Sequence, residues 1–243
     1  MQAAQDRSRP PLRAIIFDVD GTLAETEETH REAFNRTFAE FGLSWNWDRA
    51  LYRRLLKVSG GKERMRAYAE QADPDRIGDG FDAMAAAMHR RKTALYTAAV
   101  ESGGVPFRPG VARLIEQARA AGLTLAVATT TSEANVIALF NAVTGGEGPG
   151  WFACIACAEQ APRKKPDPQV YDLVLERLGM PAESCVALED STNGVRAARA
   201  AGIPVIVTES IYTQGDDFTG ALAVHPDLSS VTLEDIRALS WAR

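Results

Sequence analysis

A chain of 243 residues is long enough for one large domain, or for a core domain carrying an insertion. Apolar residues at 46% and charged residues at 24% are the proportions of a soluble globular enzyme, and a net charge of −5 argues against the basic surface of a nucleic-acid binder. No apolar run approaches the ~18 residues of a membrane span, and three cysteines without framework spacing fit a reducing, cytoplasmic compartment.

The opening MQAAQDRSRPPLR, residues 1–13, is polar and proline-bearing. It reads as a flexible tail; without an apolar h-region a secretion signal is not expected, while its arginines leave an organellar transit peptide as the alternative. AIIFDVDGTLAET follows at 14–26. Ala14–Phe17 form an apolar run read as a buried strand, and Asp18 and Asp20 crowd its tip with Gly21 and Thr22 behind. Like charges that close repel, and raising a carboxylate's pKa costs free energy unless a cation or donor compensates. The stretch asks for a positive partner.

From Leu23 to Phe107 the chain runs about 85 residues without a convincing strand, far longer than an ordinary crossover. Phe34, Phe38 and Phe41 fall on one helical stripe ending at Gly42, and amphipathic segments follow around Tyr52–Val58, Lys62–Gln71 and Phe81–Val100. The pattern predicts an inserted all-helical cap over residues 25–107, above the carboxyl end of a sheet. Residues 14–24 and 108–243 then make the core domain.

Val111–Ala121 starts after Pro109 and stops at Gly122, a helix between a proline start and a glycine stop. Leu123–Ala128 is a second strand. GGEGPG at 145–150 reads as a surface loop, since no helix follows it as a phosphate cradle requires. The third strand is Phe152–Cys157. Cys154 and Cys157 there form a CxxC, but residues three apart on a strand face opposite sides, so the sulfurs do not converge on a metal or redox centre. Val170, Leu173, Val174 and Leu178 recur at helical spacing up to Gly179, and Val195–Ala201 is a helix ending at Gly202. Cys185–Leu188 and Pro204–Val207 are the last two strands. Apolar strands alternating with helices indicate a doubly wound parallel α/β sheet with its site at the strands' carboxyl ends.

Those ends carry residues suited to phosphate chemistry. Thr129, Thr130 and Thr131 follow the second strand, Lys164 and Lys165 stand in KKPDP, and Glu189 and Asp190 follow the fourth strand. Four converging acids require a cation, and hard oxygen ligands in that number suit Mg²⁺. Singly, each has a plain structural reading: Asp20 as a turn residue, the threonines as a helix cap, the acid pair as surface charge. Those readings fail together, because separate caps would not all fall at the carboxyl ends of strands.

DVDGT, the threonine after LAVA, the lysine of KKPDP and the acid pair of ALEDS resemble, in order, the four motifs of the haloacid dehalogenase superfamily, with the helical insertion in the first-cap position. In particular the chain resembles the CbbY-type sugar phosphatases, through AETEETH at 24–30, Trp45 to Asp48, Tyr52 and GGKER at 60–64. The resemblance implies a Rossmann-like core with a helical cap, Mg²⁺ as cofactor, and hydrolysis of a small phosphorylated sugar through an aspartyl-phosphate. In that family xylulose 1,5-bisphosphate is cleaved to xylulose 5-phosphate.

By resemblance Asp18 is the nucleophile, and Asp20 protonates the departing alkoxide and then activates water. Their i, i+2 spacing lets both leave an extended strand on one face. Mg²⁺ would be held by Asp18, Asp20 through its main-chain carbonyl, and Asp190, with Glu189 as the acid that could exchange with Asp190. Thr129 and Thr130 with Lys165 would hold the phosphoryl group; Lys164 competes, but the family's lysine directly precedes the proline. Glu27 and His30, on one helical face, reach the cleft, together with Tyr52. Gly60 and Gly61 let amides approach a distal phosphate, and Lys62 and Arg64 add charge. His89 and His225 are assigned no role. A monomer with no nucleic-acid or membrane partner is expected. A β-phosphoglucomutase-like phosphomutase is the alternative, because the spacing of Thr26 and His30 fits it too, whereas GGKER favours the phosphatase.

Overall fold

The computed structural model describes residues 10–103 and 105–241. β1 (Ala14–Phe17), β2 (Thr124–Ala128), β3 (Cys154–Ala156), β4 (Cys185–Glu189), β5 (Val205–Thr208) and β6 (Ala223–His225) form one parallel sheet in the order β3-β2-β1-β4-β5-β6. The winding direction reverses between β1 and β4, which opens a crevice at their carboxyl ends. Asp18 follows β1 there, and Asp190 follows β4.

The strands are apolar throughout because both faces are covered. Ile15 and Phe17 enter one core cluster with α5 (Val111–Ala120), α6 (Glu133–Thr144) and α9 (Leu233–Trp241). Ala14 and Ile16 enter the other with α7 (Gln169–Leu178) and α8 (Thr192–Ala200). Cys154 lies in the second cluster and Cys157 in the first, so the sheet separates the CxxC sulfurs.

Five strands lie where the apolar runs place them. β6 has only three residues, with Val224 exposed, too short and too polar in its surroundings to register as a run. α6 shows no polar stripe because it is buried around much of its circumference, packed between the sheet and α4 (Phe81–Glu101). GGEGPG is partly helical, with a 3₁₀ turn over Gly148–Trp151. Of the expected tail, residues 1–9 lie outside the described residues. Leu12 and Arg13 belong to the fold: Leu12 is buried in the core, and the Arg13 N–H donates to the Ser184 carbonyl at 2.8 Å.

The insertion is helical, as its patterning predicts: α1 (Glu27–Glu40), α2 (Arg49–Leu55), α3 (Gly61–Ala72) and α4, with a 3₁₀ turn at Pro74–Arg76. Phe34 and Phe38 are fully buried against Trp45, Trp47 and Tyr52. Phe41 is 39% exposed, contrary to its place on the stripe, because α1 ends at Glu40 and the chain turns at Gly42. The Asn35 side chain bonds both backbone groups of Trp47, at 2.9 and 2.7 Å, and Asp48 caps α2 through the Leu51 N–H at 2.7 Å. Trp45 to Asp48 therefore build the cap.

Ala24 bridges both Asp20 and Phe107, and the Arg108 N–H donates to the Leu23 carbonyl at 2.8 Å, so the chain leaves and re-enters the core side by side. Cap and core share apolar contacts. Ala33 of α1 and Tyr96 and Val100 of α4 join the core cluster of α6. Tyr212, from the loop after β5, enters the cap cluster edge-on to Tyr52, with ring centroids 5.5 Å apart.

Candidate active site

Asp18 and Lys165 meet at the centre of the crevice. Lys165 Nζ donates to Asp18 Oδ1 at 2.7 Å, to Glu189 Oε1 at 2.6 Å and to the Ala128 carbonyl at 2.8 Å, and all three side chains are buried. Burial, against the pull of Lys165, raises Asp18 to about 7. The two carboxylates outweigh the effect of burial on Lys165 and hold it firmly charged. Lys164 is elsewhere, donating to the carbonyls of Ala158 and Ala161 at 2.6 and 3.1 Å. Lys165, not Lys164, reaches the nucleophile position.

Glu189 lies under this pair. Tyr171 donates to its Oε1 at 2.5 Å, and it is fully buried, away from the cavity wall. Asp190 does border the cavity. Its carboxyl is raised well above its ordinary value by burial and then by Asp18 and Glu189. Three carboxylates, Asp18, Glu189 and Asp190, bring ligand oxygens within 4.8 Å of one another, and of these three the lysine bonds Asp18 and Glu189 but not Asp190. The cluster is one cation short. That donor set of hard oxygens fits a divalent metal such as Mg²⁺, with Asp18 and Asp190 facing the open side.

Asp20 borders the same cavity but has different partners. Thr26 Oγ1 donates to its Oδ1 at 2.5 Å, and His30 Nε2 lies 3.0 Å away. Burial works to raise Asp20, yet His30, Thr26 and Lys92 together hold it well below the usual carboxylate range. Lys92, on α4, was not singled out by sequence. Its Nζ lies 2.5 Å from His30 Nδ1, and burial lowers it to about 7. With Lys92 donating to Nδ1, the ring proton sits on Nε2 and faces Asp20. Tyr96 stacks on the imidazole with centroids 4.0 Å apart and fixes its plane. The signal for Lys92 was its phase: it shares the buried stripe of α4 with Phe81, Ala85, Met88 and Tyr96.

Thr129 and Thr130 border the cavity at the end of β2, with Thr129 Oγ1 accepting from the Thr131 N–H at 3.2 Å. The cavity, of about 650 Å³, reaches from these groups to the cap, where Glu27, Gly61, Lys62 and Arg64 line it. α3 begins at Gly61, and no side chain caps its first amides. Arg64 is otherwise engaged: it donates to the carbonyls of Leu55 and Val58, both at 3.3 Å, and to the Tyr52 hydroxyl at 3.0 Å. Tyr52 does not border the cavity. It is fully buried, and its hydroxyl donates to Glu27 at 2.8 Å, so the expectation that it touches substrate is corrected to holding Glu27 in place.

No helix among the described residues is long and apolar enough to cross a membrane. Residues 15–208 match the family model described as haloacid dehalogenase-like hydrolase. The CbbY protein of Cupriavidus necator, plasmid-encoded, is 53% identical over 222 residues, covering 89% of this chain and 86% of that one. CbbY of Rhodobacter capsulatus is 49% identical, covering 94% of this chain and 99% of that one. A crystal structure of a CbbY mutant from Rhodobacter sphaeroides in complex with xylulose-(1,5)bisphosphate superimposes with a TM-score of 0.86, at 44% identity over 92% of this chain and 98% of that one. With its four motifs gathered at one crevice and the family model spanning the sheet from β1 to β5, this chain belongs to the haloacid dehalogenase-like hydrolases.

Proposed function

We propose that this hydrolase is an Mg²⁺-dependent sugar phosphatase that removes one phosphate from a pentulose bisphosphate, xylulose 1,5-bisphosphate, to leave xylulose 5-phosphate. The observation that carries this reading is the division of labour between two aspartates in one cavity: Asp18 is paired with Lys165, and Asp20 with His30 and Lys92. A cavity of about 650 Å³ suits a small phosphorylated sugar, and the complex of the Rhodobacter sphaeroides mutant supports that sugar as its occupant.

Asp18 attacks phosphorus in line with the sugar oxygen, forming an aspartyl-phosphate as the ester bond breaks. Lys165 and the Thr129–Thr130 end of β2 hold the phosphoryl oxygens. A proton relayed from Lys92 through His30 to Asp20 passes to the departing alkoxide, and the proton that Asp20 later takes from water returns to Lys92 by the same route. Held ionised by Thr26 and His30, Asp20 then takes a proton from the water that attacks the aspartyl-phosphate, which releases phosphate and restores Asp18. Asp18, Asp190 and the Asp20 main-chain carbonyl would hold Mg²⁺, which supplies positive charge against the crowded acids and the phosphate. Glu189, engaged by Lys165 and Tyr171, positions that lysine.

Phosphate release from a panel of sugar mono- and bisphosphates with Mg²⁺ tests the reading, with Asp18→Asn as the control. Turnover is expected to favour the pentulose bisphosphate and to vanish in Asp18→Asn. Conversion of β-glucose 1-phosphate to glucose 6-phosphate in preference to phosphate release would make the chain a mutase instead.

A further inference from the structure

His89 is a cavity-lining imidazole with no part in the steps above. It lies on α4, one turn before Lys92, and no hydrogen bond from the described residues reaches its ring. The ring packs beneath the first turn of α3. A Cβ on Gly61 would stand 2.7 Å from its Cδ2 and 2.9 Å from its Nε2. Gly61 has no positive φ, so the glycine there makes room for this ring and not for an unusual backbone.

The corner around the ring is cationic. Burial first, then Lys92 on its own helix, Lys62 on α3, His30 on α1 and Lys164 before Pro166, lower His89 to about 4. The carboxylates of Glu63 and Glu159 face Lys164. A neutral imidazole beside uncapped helix amides and three ammonium groups is a place prepared for an anion, with one ring donor and one ring acceptor unspent.

We propose that His89 is a specificity-determining residue that, with Lys62 and the first amides of α3, binds the phosphate that is not transferred. This rests on the bisphosphate reading given above. An arriving phosphate dianion offsets the ammonium groups, so the ring takes a proton from solvent and donates an N–H to a phosphate oxygen. The proton returns to solvent when product leaves. Without a second anion in the corner the ring stays neutral, with its N–H and its bare nitrogen unspent.

The test uses Asp18→Asn, which lacks the nucleophile and holds substrate unconsumed. Xylulose 1,5-bisphosphate is titrated calorimetrically into this protein with Mg²⁺, in two buffers of different ionisation heat, to count protons taken up on binding. Adding His89→Gln, which keeps an N–H donor but cannot titrate, is expected to lower that count by up to one proton and to weaken binding by roughly tenfold or more, the scale of a hydrogen bond to a charged group. The smaller His89→Asn is the second variant and is expected to show the same loss, with melting curves checking that both fold. Unchanged proton uptake and affinity in both variants, with bisphosphate binding intact, overturns the role of His89 and leaves the substrate reading standing. Failure of Asp18→Asn to bind the bisphosphate overturns both.

Discussion

Lys92 Nζ lies 2.5 Å from one nitrogen of His30, and the other nitrogen lies 3.0 Å from Asp20. A buried lysine thus ends on the carboxylate proposed as acid and base, through a ring whose plane is fixed by Tyr96. Burial brings the lysine to about 7, near the pH at which a proton donor is most effective.

Lys92→Met puts an apolar side chain where the ammonium lies over the Phe34 and Tyr96 rings and removes the proton. Turnover of a sugar phosphate is expected to fall about 10²-fold, within the range for lost acid–base assistance. An aryl phosphate, whose leaving group needs no proton, is expected to lose far less. Equal losses on both substrates, measured as kcat, would reduce Lys92 to a packing role.

The acid cluster makes stability depend on pH and metal together. Asp18 is raised from 3.8 to about 7 in the folded chain, so the folded state binds its proton more tightly than the unfolded state. Stability from this group is present below pH 3.8 and is lost as pH rises to about 7. Mg²⁺ as proposed would be held by the ionised carboxylates, so its stabilising effect is expected to grow over the same range. The rise in Tm on adding Mg²⁺ is expected to be larger near pH 8 than near pH 5. EDTA is expected to abolish phosphate release and Mg²⁺ to restore it. Ca²⁺ should raise Tm without supporting turnover, because its larger, looser shell misplaces nucleophile and phosphorus. A Tm shift independent of pH would detach the metal from these acids.

Gly21 offers an independent check on Asp190. Its φ is +78°, and a Cβ there would stand 2.1 Å from Asp190 Oδ2. Gly21→Ala therefore combines backbone strain with displacement of a proposed metal ligand. The Mg²⁺ concentration giving half-maximal activity is expected to rise about tenfold or more, the scale of a disturbed metal site. An unchanged Mg²⁺ requirement with only a lowered Tm would assign Gly21 to the turn alone.

What could be read from sequence was local, and what could not depended on distant partners. Asp18, Thr129, Lys165 and Asp190 each adjoin a strand end or precede a helix, so apolar runs located them before their neighbours were known. The choice of Lys165 over Lys164 needed the family pattern, because adjacent lysines have the same chemistry and only the fold separates their ammonium groups. Lys92 reaches His30 across 62 residues of sequence, a contact that no local spacing announces. Tyr52 fell on the right element but does not border the cavity, and Arg64 borders it with its guanidinium already engaged. Helical phase in the cap depends on where each helix begins, and α2 and α3 turn these two side chains toward each other, leaving only Arg64 at the cavity wall. Phe41 failed for a related reason, since the stripe outlived the helix by one residue.

The last prediction concerns Lys62, the second residue of α3. The centre around Lys165 holds one phosphoryl group, so a bisphosphate's other phosphate must meet positive charge at the cap end of the cavity. α3 presents uncapped amides there, and Lys62 stands among them facing the cavity. Arg64, the other cation of the segment, already donates to two carbonyls and to Tyr52 and has less to give. A hydrogen bond to a charged group contributes about 1.5–3 kcal/mol. Lys62→Ala is therefore expected to lower kcat/KM for a pentulose bisphosphate by roughly ten- to a hundredfold, mainly through KM. Lys62→Arg, which keeps the charge, should recover most of that loss. A small monophosphate that never reaches the cap should show a much smaller change than the bisphosphate. Equal losses on both substrates would point to a defect in the cap as a whole. No loss on either would remove Lys62, and with it the start of α3, from substrate recognition.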